Sequence, residues 1–364
     1  MDQLIDGKFY GGAEPDPIDK DAPKYEDKIG LQAEKDINWG VGFDIRDTLG
    51  DDITKKNQFR SLSCVGQAWA YYNWVLNILE LIKKYGMSLK ELKQAHPEEV
   101  EEASAKAIYS QIHLSGGGAW LIDGAKLICN WGSVTEKVVK SYMSDGTTDE
   151  PFMRDTMWKT KQVDGIAKVL QGKEPRVIQA SYNIDLMARA IMENSGVVGG
   201  VTGSNGHGWG YSEFVTPPVE GELTWGHALY FGAFGKDEKG KYIATPNSWG
   251  DFINKKWEPG KPPGYGWQKV YENYFVNNGQ WVFNPWTYTD KLNFNLSDME
   301  NDFVRIVKDE GSAAVGFFIP ATSPEALKTM SLAFKKDIVY NADGTINWPE
   351  TIEGKVTLEE PLTK

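Results

Sequence analysis

The sequence predicts an α+β fold, with helices concentrated in the first half of residues 41–290, strands in the second half, and a small C-terminal α+β appendage. Three observations carry this. A long apolar helix begins at Cys64 and runs through Trp69, Tyr72, Val75, Leu76, Leu79 and Ile82 to about Tyr85. Short strand-like segments bounded by turn residues fill residues 196–283. Beyond about residue 290, two further strand-like segments and a capped helix form a group of their own.

Each element has a local reason. Residues 1–40 are rich in Asp, Pro, Gly and Lys, and Gly11-Gly12-Ala13-Glu14-Pro15-Asp16-Pro17 reads as a turn-rich, extended leader. The helix from Cys64 is apolar on every side, so it belongs between other elements, and Gly86 suits a left-handed cap. Ser88-Leu89-Lys90-Glu91 is a capping box for a second helix. Glu98 to Ile112 reads as a third helical stretch, with acids at its start as the dipole prefers. Gly116-Gly117-Gly118 leads into a helix to Trp131, with Leu121, Ala125 and Ile128 on one face, Cys129 in the core and Gly132 as the stop. Residues 145–175 are polar and read as the crossing between the two halves. Asn183 or Asp185 caps a helix from Leu186 to Met192, ended by Ser195-Gly196, and a strand follows to Thr202. The loop 203–222 carries His207, read as a surface histidine. Thr224 to Gly232 is a strand bearing His227, and Lys241 to Thr245 is a strand that ends in the turn Pro246-Asn247-Ser248-Trp249-Gly250. A long loop, Asp251 to Pro263, precedes a strand over 264–270, and Asn273–Val276 and Gln280–Phe283 are expected to finish the sheet. In the appendage, Asp302–Val307 and Ala314–Ile319 read as a strand pair, and Ser323-Pro324-Glu325 opens a helix to about Phe334.

Composition excludes several classes. With 364 residues, 41% hydrophobic and 25% charged, the chain reads as a soluble globular protein with a sizeable core. The net charge is −12 and basic clusters are limited to pairs such as Lys83-Lys84 and Lys335-Lys336, so nucleic acid is not an expected partner. No apolar run reaches membrane-spanning length, and Met1-Asp2-Gln3-Leu4-Ile5 lacks the features of a signal peptide. Four histidines and two cysteines show no metal-ligand spacing, and there is no phosphate loop. Neither a metal nor a cofactor is expected.

The candidate chemistry centres on Cys64. A thiol at the first turn of a helix meets free N–H groups and the positive end of the dipole, one way to make a nucleophilic thiolate. Taken alone, Cys64 reads more readily as a buried apolar residue. Its context adds Gln58 six residues earlier, Gly117-Gly118 before a helix, His227 in a strand, and the Asn247-Ser248-Trp249-Gly250 box after the histidine. Asp44-Ile45-Arg46 precedes them all. In this order, and over about residues 44–285, the chain resembles the papain-like cysteine peptidases.

The resemblance implies a papain-like two-lobed fold, with a helical lobe over about 57–145, an antiparallel β-sheet lobe over about 176–290, and a cleft between them. It implies a peptidase domain over 41–290, in which 87–112 is an insertion, an extended leader over 1–40 and an appendage over 291–364. It implies hydrolysis of peptide bonds by a Cys64 thiolate/His227 imidazolium pair, with Asn247 orienting the imidazole and Trp249 shielding that contact. Gln58 would share the oxyanion hole with the Cys64 N–H, and Gly117, Gly118 and Gly226 would border a peptide or protein substrate. The competing reading is a catalytically idle scaffold on the same fold, acting as a structural or binding component. The leader is too short and Pro-rich for the family's helical prosegment, and two placements are open to it, along the surface or in the cleft. The family's Trp-Ala-Phe after the nucleophile is Val65-Gly66-Gln67 here, and the loop before it is Phe59-Arg60-Ser61-Leu62, changes that bear on substrate preference. If Cys64 is the nucleophile, Cys129 has no disulfide partner, which fits a cytoplasmic or assembly-associated location, a virion or other complex included. The appendage is a candidate surface for a protein partner.

Overall fold

The computed structural model describes residues 11–29, 37–168, 171–275, 281–290, 339–340 and 346–347. The chain divides into two compact units, Met1–Asn293 and Phe294–Lys364. Within the second, Val339–Tyr340 pairs antiparallel with Ile346–Asn347. The appendage strand pair and helix expected at 302–334 lie outside the described residues.

In the first unit the chain opens with β1 (Ala13–Glu14), α1 (Tyr25–Ile29), β2 (Phe43–Asp44) and α2 (Ile45–Leu49). Helical material follows: α3 (Cys64–Tyr85), α4 (Leu89–Ala95), α5 (Ala105–Ile112), then β3 (Ala119–Trp120) running into α6 (Leu121–Asn130). Two short helices, α7 (Glu150–Arg154) and α8 (Lys161–Ala167), occupy the polar crossing. Next come β4 (Lys173–Val177), α9 (Ile184–Asn194), β5 (Val197–Ser204), β6 (Phe214–Val215), β7 (Thr224–Phe231), β8 (Ala233–Asp237), β9 (Gly240–Thr245), β10 (Gln268–Tyr271) and β11 (Val282–Asp290).

α3 forms because 22 residues without Pro are buried on nearly every face, and its ends are punctuated as the sequence predicts. Gly86 adopts φ 67° and its N–H reaches the Ile82 carbonyl. Close neighbours hold the helix on all sides. The α5 backbone approaches so near that a Cβ at Gly66 would lie 2.7 Å from the Ala105 carbonyl oxygen. Trp69 donates its indole N–H to the Leu121 carbonyl at the start of α6, and the Tyr72 hydroxyl bonds Asn194 and Thr287. The largest buried cluster surrounds α3 and reaches β7 and β11, and a second packs α9 against the strands.

Apart from β1 and β3, the strands of the first unit form two sheets. One has the order β4-β11-β5-β7, antiparallel throughout. The other has the order β2-β8-β9-β10-β6, antiparallel except for β10 with β6. β7 and β8 are separated only by Gly232, so the histidine-bearing strand of the first sheet leads directly into the second.

Some expected elements are observed as read and others differ. Helix α4 has the full reciprocal capping box at Ser88 and Glu91, and Asn183 rather than Asp185 caps α9. The helix expected from Glu98 begins only at Ala105, capped by Ser104. Tertiary bonds override propensity there: Lys56 pairs with Glu102, Ser104 N–H binds the Val134 carbonyl, and Trp74 and Asn77 bind the Val100 and Glu99 carbonyls. Of the strand expected at 273–276, Glu272–Tyr274 is instead a 3-10 turn, because the Tyr274 hydroxyl turns inward to the Thr216 carbonyl and the Trp209 indole. The segment expected to end at Phe283 starts a strand that runs on to Asp290, since β4 and β5 flank it. Among the described residues no helix is long and apolar enough to cross a membrane.

Candidate active site

Cys64 opens α3 and is fully buried, as is His227 on β7. The Ala228 backbone, one residue past the histidine, is within hydrogen-bond reach of the Cys64 thiol, so the helix N-terminus and the strand meet at this point. Asn247 follows β9 with φ 58°, a left-handed conformation that asparagine tolerates better than most residues. Its Oδ1 lies 2.8 Å from His227 Nε2. Among the described residues the buried His227 Nδ1 has no hydrogen-bond partner.

The orientation of Asn247 is fixed by a relay. Gln268 Nε2 donates to the carbonyls of Ser212 (3.0 Å) and Gly208 (3.4 Å), so its Oε1 is the acceptor for Asn247 Nδ2 at 2.7 Å. Asn247 Oδ1 then faces both the Ser248 N–H and the imidazole. An oxygen against Nε2 requires a hydrogen there, which leaves Nδ1 as the basic nitrogen of the neutral ring. Trp249 stacks on the imidazole at 4.2 Å with the planes 21° apart, and Trp209 meets both rings edge-on.

Gln58 lies six residues before the thiol and is fully buried. Ser248 Oγ donates to its Oε1 (2.8 Å), its Nε2 donates to the Ser61 carbonyl (3.0 Å), and its backbone N–H binds the Ser248 carbonyl. The serine of the Asn-Ser-Trp-Gly box therefore clamps the glutamine. Glu150 braces the same loop, accepting from the Leu62 N–H and the Tyr109 hydroxyl, while that hydroxyl accepts from the Gly118 N–H.

The leader segment around Gly12 and Ala13 lies in the cleft. β1 pairs in parallel with β3, Ala13 opposite Ala119, and the Ala119 N–H donates to the Gly12 carbonyl at 2.7 Å. On the facing wall, a Cβ at Gly226 would overlap the Ala13 carbonyl oxygen. On the near wall, a Cβ at Gly118 would overlap the Gly12 carbonyl, and one at Gly12 the Leu62 carbonyl. Backbone therefore meets backbone on both sides. The Asp16 carboxylate accepts from the Ile122 N–H (3.0 Å) and the Trp286 indole (2.8 Å), and the Asp16 N–H binds Asn284. Gly118 and Gly226 both touch the leader; Gly117 (φ 98°) instead faces Leu62 and Arg154.

This burial sets the electrostatics. Loss of water pushes the Cys64 thiol up to about 11, against several backbone hydrogen bonds that favour the thiolate. It pulls the His227 imidazole down to about 4, against the favourable bond to Asn247. Burial therefore favours the uncharged thiol and the uncharged imidazole, and no hydrogen bond joins the thiol to His227 Nδ1. Cys129 is free, only partly buried and also pushed up, to about 12, by desolvation. His207 lies away from this centre and binds Thr216 and Glu222.

Sequence reasoning missed Gln268, the clamp role of Ser248, Trp209 and the leader's contact residues. Only the last had a readable signal: Gly11-Gly12 is a second glycine pair, in a segment otherwise stiffened by proline. Among the described residues no group of three His, Cys, Asp or Glu side chains could hold a metal ion.

The structure is similar to xylellain, a cysteine protease from Xylella fastidiosa (TM-score 0.55, 17% identity, covering 77% of this chain and 95% of that one). It is also similar to procathepsin B S9 from Trypanosoma congolense (TM-score 0.52, 10% identity, covering 78% and 87%). No family model and no curated protein matches the sequence. These likenesses show a papain-like α+β fold.

Proposed function

From that fold, we propose that the chain is a cysteine-type peptidase held latent by its own leader. The observation that carries the reading is the imidazole of His227, bound at Nε2 by Asn247 and unpartnered at Nδ1, next to the residue whose backbone reaches the Cys64 thiol. A substrate carbonyl takes the place of the leader backbone. The Cys64 proton moves to His227 Nδ1, and the thiolate sulfur attacks the carbonyl carbon. The resulting oxyanion is met by the Cys64 N–H and by Gln58, with each donor worth roughly 2.7–4 kcal/mol in comparable hydrolases. His227 Nδ1–H then protonates the leaving amine, and water releases the acyl group with the same base. Asn247 and Gln268 hold the ring by Nε2 and so leave Nδ1 as the base throughout. Trp249 lies flat against the ring and favours its charged form when water is admitted.

The test keeps the chain whole. A side chain at position 12 would overlap the Leu62 carbonyl, so Gly12→Val expels the leader locally. The expected outcome is hydrolysis of a mixed peptide substrate by Gly12→Val and none by Gly12→Val with Cys64→Ala. An opened, folded chain that hydrolyses nothing, or hydrolyses equally well without the thiol, ends the proposal.

A further inference from the structure

Tyr71 stands seven residues past Cys64 on α3 and is 2% exposed. Seven residues fall about 20° short of two helical turns, so the phenol shares the face of the thiol, about 10 Å further along the helix. That face meets β7 twice. The Ala228 backbone reaches the thiol, and the Tyr71 ring stacks on Tyr230 with centroids 6.2 Å apart and planes 24° apart.

The Tyr71 hydroxyl joins three segments. It accepts from the Lys56 N–H, so its own proton goes to the Asn247 carbonyl at 3.2 Å. Burial pushes the hydroxyl well above its ordinary pKa, so the proton stays on the oxygen. Lys56 opens a strip antiparallel to the Asn247 turn. The Lys56 carbonyl accepts from the Gly250 N–H (2.9 Å), Asn57 pairs with Trp249, and the Gln58 N–H donates to the Ser248 carbonyl (2.8 Å). The sheet half holds Asn247 by its other groups: the N–H at the Thr245 hydroxyl (3.0 Å), Nδ2 at Gln268 and Oδ1 at the Ser248 N–H. Tyr71 supplies the bond from α3. It falls on a residue with a φ of 58°, which a non-glycine residue keeps only where its surroundings hold it.

We propose that Tyr71 is a positioning residue, whose hydroxyl fixes the Asn247 turn and the Gln58 strip relative to the helix that carries Cys64. If the turn shifts, Oδ1 moves away from His227 Nε2, and the imidazole loses the orientation and tautomer that Asn247 imposes. A misplacement of about 1 Å in such an arrangement lowers a rate by up to about 100-fold. The kinetic half of this statement rests on the peptidase reading above. The geometric half does not, because the His227 tautomer is measurable without turnover.

The experiment compares Tyr71→Phe with Tyr72→Phe in the full chain. Both keep the ring and lose a buried hydroxyl, that of Tyr72 being bonded to Asn194, Thr287 and the Tyr288 N–H. Urea midpoints of both are expected to fall, since each leaves buried groups unpaired. Trimethylamine N-oxide in every sample strengthens burial and keeps a weakened variant folded. Nitrogen NMR of the imidazole, assigned by the signals lost in His227→Gln, then separates the two. Wild type and Tyr72→Phe are expected to show one protonated and one basic ring nitrogen. In Tyr71→Phe the two shifts are expected to converge as both tautomers become populated. Unchanged shifts in folded Tyr71→Phe overturn the proposal, as does equal convergence in Tyr72→Phe. In a second arm, within the Gly12→Val chain, Tyr71→Phe is expected to lower kcat by about 10- to 100-fold with KM within about twofold, and Tyr72→Phe to leave both within about threefold. Equal losses of kcat in the two variants overturn it. Absence of any cleavage by the Gly12→Val parent refutes the peptidase reading alone, and the NMR arm then decides the role of Tyr71.

Discussion

Gln268→Met tests the relay that aims the imidazole. In the native chain, turning over the Asn247 amide would set two acceptors, Asn247 Oδ1 and Gln268 Oε1, against each other at 2.7 Å and would also break the Ser248 N–H bond. Methionine has similar length but removes the acceptor, so only the Ser248 N–H still distinguishes the two amide orientations. Both side chains are essentially buried, at 2% and 0% exposure, so water does not replace the missing partner. Leaving a buried donor unsatisfied costs about 1–3 kcal/mol. In the turned-over state an N–H group faces Nε2, the ring proton moves to Nδ1, and the ring no longer accepts the thiol proton. Carried into the transition state, the same energy lowers kcat/KM by about 5- to 150-fold. The assay is peptide hydrolysis in the Gly12→Val chain, paired with nitrogen NMR of the His227 tautomer, which reads out whether or not turnover occurs. A folded variant with kcat/KM within twofold of its parent and an unchanged tautomer refutes the reasoning.

Two further predictions concern stability. His227 has its folded pKa depressed from 6.5 to about 4, so its contribution is present above pH 6.5 and is lost as pH falls towards 4, up to about 3 kcal/mol. Denaturant midpoints of wild type minus His227→Gln are expected to fall across that window, and a flat difference would exclude the assignment. Lys56 is 3% exposed and bonds Glu102 at 2.6 Å, and the nearby Glu102 and Glu136 hold its ammonium charged despite burial. Lys56→Met leaves these carboxylates uncompensated and is expected to cost about 3–5 kcal/mol in urea unfolding, with Glu102→Gln recovering part of it. A loss below about 1 kcal/mol would show that solvent or a neighbour replaces the lysine.

Much of the framework was legible because it is written in local signals. α3 is punctuated by Gly86, α4 by the Ser88 box and α9 by Asn183, and these features depend on residues within a few positions of each helix end. The order of Gln58, Cys64, His227 and Asn247 was likewise readable, and the structure gathers three of them through the His227–Asn247 and Ser248–Gln58 bonds and the fourth through Ala228. What escaped was determined by distant partners. The acids at 98–102 suit a helix start, yet Lys56 and the Val134 carbonyl hold that segment open. Gln268 looks like any polar strand residue until β10 is set beside Asn247. The burial that disfavours charge on Cys64 and His227 is not written in the motif, and the leader that touches this site is placed by glycines spaced far apart in the sequence.

That placement has a kinetic corollary. The occluding strand and the sulfur it covers belong to one polypeptide, so the local concentration of the blocking segment is set by a tether, on the order of millimolar for a flexible link, and not by how much protein is in solution. Diluting the protein therefore does not unmask it. Severing the connection downstream of Asp16 turns a unimolecular closure into a two-body equilibrium, from which the freed peptide drifts away, and restoring the block then takes added peptide rather than time.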